Sequence, residues 1–117
     1  MTTQIDVARA YLDALVSHDG ESVPFTPDAV RYELGIKTGR SGDHLRRSLS
    51  RGPQYKLVMG IRDLTSSVEG STVRTSYLLD AGIAGRKLMT VKVDEDFEIP
   101  ADDLRIHRID AKIRPAR

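Results

Sequence analysis

Between Met89 and Ile99 the chain alternates with period two. Met89, Val91, Val93, Phe97 and Ile99 form one apolar set, and Thr90, Lys92, Asp94, Asp96 and Glu98 form a polar one. Successive side chains of a strand point to opposite faces, so this pattern predicts a half-buried β-strand. Glu95 falls on the apolar face. A carboxyl facing a core must be paired, neutralised or placed beside a cavity, because burying an unpaired charge is costly. That makes Glu95 a candidate functional group.

The rest of the chain says what this strand can pack against. Ile5, Ala8, Leu12, Leu15 and Val16 fall on one helical stripe between Thr3 and His18, with Tyr11 on its flank. Thr3 and Asp6 have the spacing of a capping box, and Asp19-Gly20 is expected to stop the helix. Glu21 to Pro27 reads as a turn or a single helical turn. Asp28 to Leu34 reads as a short strand, with Val30, Tyr32 and Leu34 on one face and Arg31 and Glu33 on the other. Gly35 to Gly42 reads as a loop. Ser41 is placed to cap a helix running to Leu49, with Leu45 and Leu49 as its apolar edge.

The second half is strand-rich. Tyr55–Leu64 and Thr72–Leu79 flank a turn near Glu69-Gly70, as in a hairpin. A turn at Ala81–Gly85 leads into the Glu95 strand, and Leu104–Ile113 forms the last strand. Its apolar phase shifts between Ile106 and Ile109, which predicts a bulge near His107-Arg108. Helices at the front and an antiparallel meander at the back indicate an α+β fold, a strongly curved sheet wrapping the N-terminal helices around an internal pocket. The 117 residues fit one domain, 1–117.

Composition removes several function classes. The chain has no cysteine, which excludes disulfides, thiolate nucleophiles and zinc–thiolate sites. Its net charge is +1 with both signs mixed, so no nucleic-acid partner is expected. No apolar run approaches the roughly 20 residues of a membrane span, and the N-terminus lacks the regions of a signal peptide. A soluble, cytoplasmic protein is expected, with no membrane partner. The three histidines have no ligand spacing, so no metal is expected. Ser41 reads as a cap, not a nucleophile.

Three groups of residues, Tyr11–Asp19, Asp28–Glu33 with Gly39–Gly42, and Val93–Phe97 with Ile106–Ile109, occur in an order that resembles the nuclear transport factor 2-like superfamily. That superfamily includes ketosteroid isomerases, polyketide cyclase-like (SnoaL-like) proteins and limonene-epoxide hydrolases. The resemblance implies a cone-shaped α+β domain with a pocket, a homodimer, a small hydrophobic ligand and no cofactor. It aligns Tyr11 with a helix tyrosine that donates to an enolate oxygen. Glu33 aligns with the carboxylate that transfers the proton, and Glu95 with a second carboxyl kept neutral as a donor. Here Glu33 is a glutamate followed by Leu34, where the resembled base is an aspartate followed by proline. Arg31, on the same face as Glu33, is a candidate ion-pair partner and substrate contact. Asp63 shares strand parity with Tyr55, Leu57, Met59 and Ile61, and is taken as a further contact together with Val93 and Phe97, which flank Glu95. The implied function is carboxylate-mediated isomerisation of a hydrophobic carbonyl compound. The alternatives are an epoxide hydrolase or lyase using Glu33, Arg31 and Glu95 around a water, and a non-catalytic ligand-binding or dimerisation module.

Overall fold

The computed structural model describes residues 2–116, apart from the side chain of residue 54. Two helices, α1 (Gln4–Ser17) and α2 (Gly42–Arg51), pack on one six-stranded sheet. Its strands are β1 (Phe25–Glu33), β2 (Ile36–Gly39), β3 (Val58–Glu69), β4 (Thr72–Ile83), β5 (Arg86–Glu98) and β6 (Ile106–Pro115). The sheet is curved and unclosed, in the order β2-β1-β6-β5-β4-β3. This is the expected α+β architecture. The meander β3–β6 is antiparallel throughout, whereas β1 joins β6 in parallel. No helix is long and apolar enough to cross a membrane among the described residues.

Helix α1 starts as its sequence requires. The Thr3 hydroxyl accepts from the Asp6 backbone N–H at 3.1 Å, and the Thr3 N–H donates to Asp6 Oδ2 at 2.8 Å. The stop comes earlier than Gly20: His18 itself turns left-handed, at φ 61°, and its N–H donates to the Ala14 carbonyl. Val7, Ala8, Tyr11, Leu12, Ala14 and Leu15 are buried against the sheet. Ser41 caps α2 by accepting from the His44 N–H at 3.1 Å, and Leu45 and Leu49 are buried.

Four local expectations are corrected. Strand β1 begins at Phe25 and runs through Pro27. The β1–β6 register shifts between Phe25 and Val30, so the missing N–H of Pro27 falls where the pairing is already broken. That same shift accounts for the displaced phase of Ile106 and Ile109. The irregularity does lie opposite His107, but five residue steps of β1, Phe25 to Val30, face two of β6, Ile106 to Arg108, so the extra residues are on β1 and not in a bulge of β6. The Gly35–Gly42 segment holds strand β2, joined to β1 by a two-residue turn, Leu34-Gly35, with positive φ at both residues. Tyr55 to Leu57 is a 3₁₀ turn (Pro53–Leu57), because Pro53 favours a helical start. Strand β3 starts only at Val58.

Three close approaches seat the helices. Gly39 and Gly42 lie where α2 crosses β1; a Cβ on Gly39 would strike Leu45, and one on Gly42 would strike the Thr26 carbonyl oxygen. Gly20 meets the Arg46 carbonyl in the same way.

Candidate functional site

The face of β1 that turns inward carries Arg31 and Glu33, not Val30, Tyr32 and Leu34. Arg31 is buried, while Leu34 is exposed and Tyr32 stacks under Arg108 on the outer face. Strand β6 relays this face to β5. Glu33 pairs with Ala111 on one side, and Glu95 pairs with the same Ala111 on the other. The two carboxyls therefore stand on one row of the sheet, two strand spacings or about 10 Å apart at the backbone. The small Ala111 side chain between them leaves room above it.

Arg31 fills that room. Its Nε donates to the Tyr11 hydroxyl at 3.1 Å, and its Nη1 donates to Glu33 Oε1 at 3.2 Å and to the Thr38 hydroxyl at 2.9 Å. Its Nη2 lies 3.6 Å from Glu95 Oε2. The Tyr77 hydroxyl donates to the other Glu95 oxygen at 2.6 Å. One guanidinium thus spans two carboxyls in different surroundings. The Glu33 side chain is 38% exposed at the rim, and that of Glu95 is 1% exposed.

Burial pushes the Glu95 carboxyl above its ordinary range, and the opposing attractions of Arg31 and Tyr77 only partly offset this. Burial works against the charge on Arg31, but the oxygens of Tyr11, Glu95, Tyr55 and Glu33 outweigh it and hold the guanidinium protonated. Burial also raises Tyr11 and Tyr77 well above the usual phenol value, so both remain hydroxyls.

These groups border a cavity of about 290 Å³. Arg31, Glu33, Thr38, Tyr55, Tyr77 and Glu95 supply its polar wall, and aliphatic side chains including Leu15, Val58, Leu79, Val91, Val93 and Ile113 supply the rest. Such a space, apolar with a few convergent polar groups, is the usual form of a small-molecule site.

The structure brings Glu33, Glu95, Arg31 and Val93 to this cavity. Tyr11 sits behind Arg31, packed edge-on against Phe25 and Phe97, with its hydroxyl engaged by the guanidinium. Phe97 is fully buried in the core under α1 and lies outside the cavity lining. Asp63 is also outside it. Its φ is 56°, the β3–β4 register shifts between Arg62 and Thr65, and its carboxylate pairs with Arg62 in solvent. The bulge breaks the strand parity that had placed Asp63 inward. Sequence reasoning missed Thr38, Tyr55 and Tyr77. Tyr77 was within reach, because it shares strand parity with Val73 and Thr75 and pairs with Val93. Thr38 was hidden in the segment read as a loop.

No curated protein sequence matches the chain. Solved structures share its fold. A Mycobacterium tuberculosis epoxide hydrolase described as LEH-like superposes with a TM-score of 0.76 at 23% identity, covering 95% of this chain and 82% of that one. A Kribbella flavida protein provisionally assigned as a ketosteroid isomerase gives 0.75 at 14% identity, covering 97% and 79%. A Shewanella denitrificans protein provisionally assigned as a SnoaL-like polyketide cyclase gives 0.71 at 17% identity, covering 95% and 90%. These likenesses establish the nuclear transport factor 2-like fold. A family model matches residues 1–113, and by it the chain belongs to the family described as a domain of unknown function, DUF8021.

Proposed function

We propose that the cavity carries out cofactor-free proton transfer on a small hydrophobic carbonyl compound, an isomerisation. Glu33 removes a proton from the carbon beside the carbonyl and returns it to another carbon of the same molecule. Neutral Glu95 and the Arg31 guanidinium stabilise the oxygen on which charge develops. Tyr11 is a positioning residue that acts through Arg31. The observation that supports this reading is the single guanidinium spanning a half-exposed rim carboxyl and a sealed one whose pKa burial raises. Environments that separate two carboxyls in this way divide the roles of base and acid between them.

Glu33→Gln tests it. The variant should fold normally and lose about 10²- to 10⁴-fold in rate, the usual contribution of a positioned base. Full activity in that variant removes the proposal.

The Arg31 bridge also favours a second reading, hydration of an epoxide. Glu33 would take a proton from water as its oxygen bonds to the ring carbon, and Glu95 would protonate the ring oxygen as its carbon–oxygen bond breaks. Product carrying labelled oxygen from solvent water selects this reaction over isomerisation. Ligand binding that is unchanged in Glu33→Gln, with turnover in neither form, assigns the pocket to a binding module instead.

A further inference from the structure

One end of the sheet differs in composition from the rest of the chain. Strand β6 ends at Pro115, opposite Val91, and β3 begins at Val58, opposite Ala81. The β4–β5 hairpin runs on past both neighbours as a two-stranded ribbon that turns at Ala84-Gly85. Strand β1 is parallel to β6, and β6 is antiparallel to β5, so the β1–β2 turn and the start of β3 face this same end. The three segments carry Ile36, Leu57, Met59, Ile83, Leu88 and Met89, whose exposure runs from 40% at Met59 to 70% at Ile36. Register ties them to the cavity. Ile36 pairs with Glu33 at the rim, Leu57 precedes the lining residue Val58, and Ala81–Met89 is the next inward-facing row beyond Leu79–Val91.

The charge at this end has one sign. Segments 34–42, 44–62 and 81–93 contain no Asp or Glu, although the chain has 17 acidic residues against 18 Lys and Arg. Lys37, Lys56, Arg86 and Lys87 are exposed there and form no salt bridge among the described residues. The acids that border this end, Glu33 and Asp80, are already paired with Arg31 and Arg62.

We propose that this end docks the protein on an anionic lipid bilayer. The apolar side chains enter the boundary between headgroups and acyl chains, and the four cations meet the lipid phosphates. Interfacial binding grows with the apolar area buried and with the attraction to anionic lipid. Each Lys or Arg beside such a surface strengthens binding by about five-fold. The cavity mouth then opens toward lipid, the phase in which a hydrophobic ligand concentrates.

The backbone adds a second argument. Leu34 stands in the β1–β2 turn with φ 51° and is largely exposed. That region is costly for a bulky side chain, and Asn or Gly suits such a turn better. In water the exposed leucine recovers none of this cost, whereas lipid buries it. A second copy of the chain is a poorer occupant. An isologous contact sets one patch against its own equivalent, so the four cations of one copy would meet those of the other. Like charges across an interface oppose association.

The experiment is sedimentation of the full chain with vesicles of phosphatidylcholine, alone or with about one-third phosphatidylglycerol. Partition into the anionic vesicles should be at least about ten-fold higher and should fall as salt is raised. The double variant Arg86→Ala, Lys87→Ala should bind about 25-fold more weakly. Lys112→Ala, on the outer face of β6, should bind as the wild type does. The chain has no tryptophan, so Leu88→Trp places a single reporter at an exposed position. Its emission should move to the blue with anionic vesicles and be quenched by brominated acyl chains. Absence of vesicle binding, equal partition into neutral and anionic vesicles, an equal loss in Lys112→Ala, or unshifted emission each overturns the proposal. A dimer that Leu88→Ser dissociates, together with no vesicle binding, assigns the patch to a second copy instead. Vesicle binding is read without turnover, so the two readings fail separately. Docking by a protein that isomerises no carbonyl compound removes only the proposed function, and isomerisation without docking removes only this proposal.

Discussion

Glu33 and Glu95 lie on one row of the sheet, each paired with Ala111 of β6. The row explains how two carboxyls from distant parts of the chain come to share one arginine. Strand β6 lies between their strands and offers the smallest side chain at the crossing point. The neighbouring row, Arg31 with Ile109 and Phe97, brings the guanidinium alongside.

Ala111 is therefore a spacer. Ala111→Val adds bulk to a position only 3% exposed, beneath the Arg31 cluster. Overpacking of this kind costs about 1–3 kcal/mol. We expect a matching loss in urea denaturation, and a lower turnover number even though no titratable group has been changed.

Glu95 makes stability depend on pH. Its folded pKa is raised above the unfolded value, chiefly by burial. The folded state therefore binds more protons than the unfolded state between the two pKa values, and stability falls with rising pH across that interval. The contribution is fully present below the ordinary glutamate pKa of about 4.3 and is lost as pH rises through the folded pKa. Glu95→Gln should flatten this part of the profile and be the more stable protein on its alkaline side. Parallel profiles for variant and wild type would show that Glu95 has the same pKa in the folded and unfolded chain.

Tyr11→Phe keeps the aromatic packing on Phe25 and Phe97 but leaves Arg31 Nε, in a buried side chain, without its acceptor. Hydrogen bonds to charged groups contribute about 1.5–3 kcal/mol, so chemical denaturation should show a loss in that range. If Tyr11 positions Arg31 and does not touch the ligand, the variant should lower kcat and leave the pH profile of kcat/KM unshifted.

Gly42→Ala tests the seat of α2. The added Cβ meets the Thr26 backbone carbonyl, which has no rotamer by which to yield. Alanine is otherwise the better helix former by about 1 kcal/mol, so a net destabilisation in thermal melting identifies the close approach. A rise in Tm would show that α2 can move off β1.

The most local patterns were the most legible. The Thr3–Asp6 capping box, the apolar stripe of α1, the Ser41 cap and the period-two strand around Glu95 depend on residues within one or two turns of each other, and all are present in the structure, except that Val16 at the end of the stripe and Met89 at the start of the strand's apolar set are exposed. The burial of Glu95 followed from strand parity alone, because alternation fixes the face once the apolar set is known. The Asp63 placement failed at a bulge, where the backbone leaves the pattern that parity extrapolates. The helix stop at His18 and the turn at Leu34-Gly35 were obscured because non-glycine residues took positive φ.

The sequence by itself determined that this chain makes two amphipathic helices and a strand-rich half, and that one strand presents a carboxyl to the interior. These follow from side-chain period and capping, which are local. Only the tertiary structure decided what that carboxyl meets. The parallel β1–β6 junction turns Arg31 and Glu33 inward, and Ala111 sets both acids on one row. Arg31 then takes the Tyr11 hydroxyl for itself. Those outcomes depend on register between strands far apart in the chain, and a register shift of one residue would turn the same side chains to the opposite face.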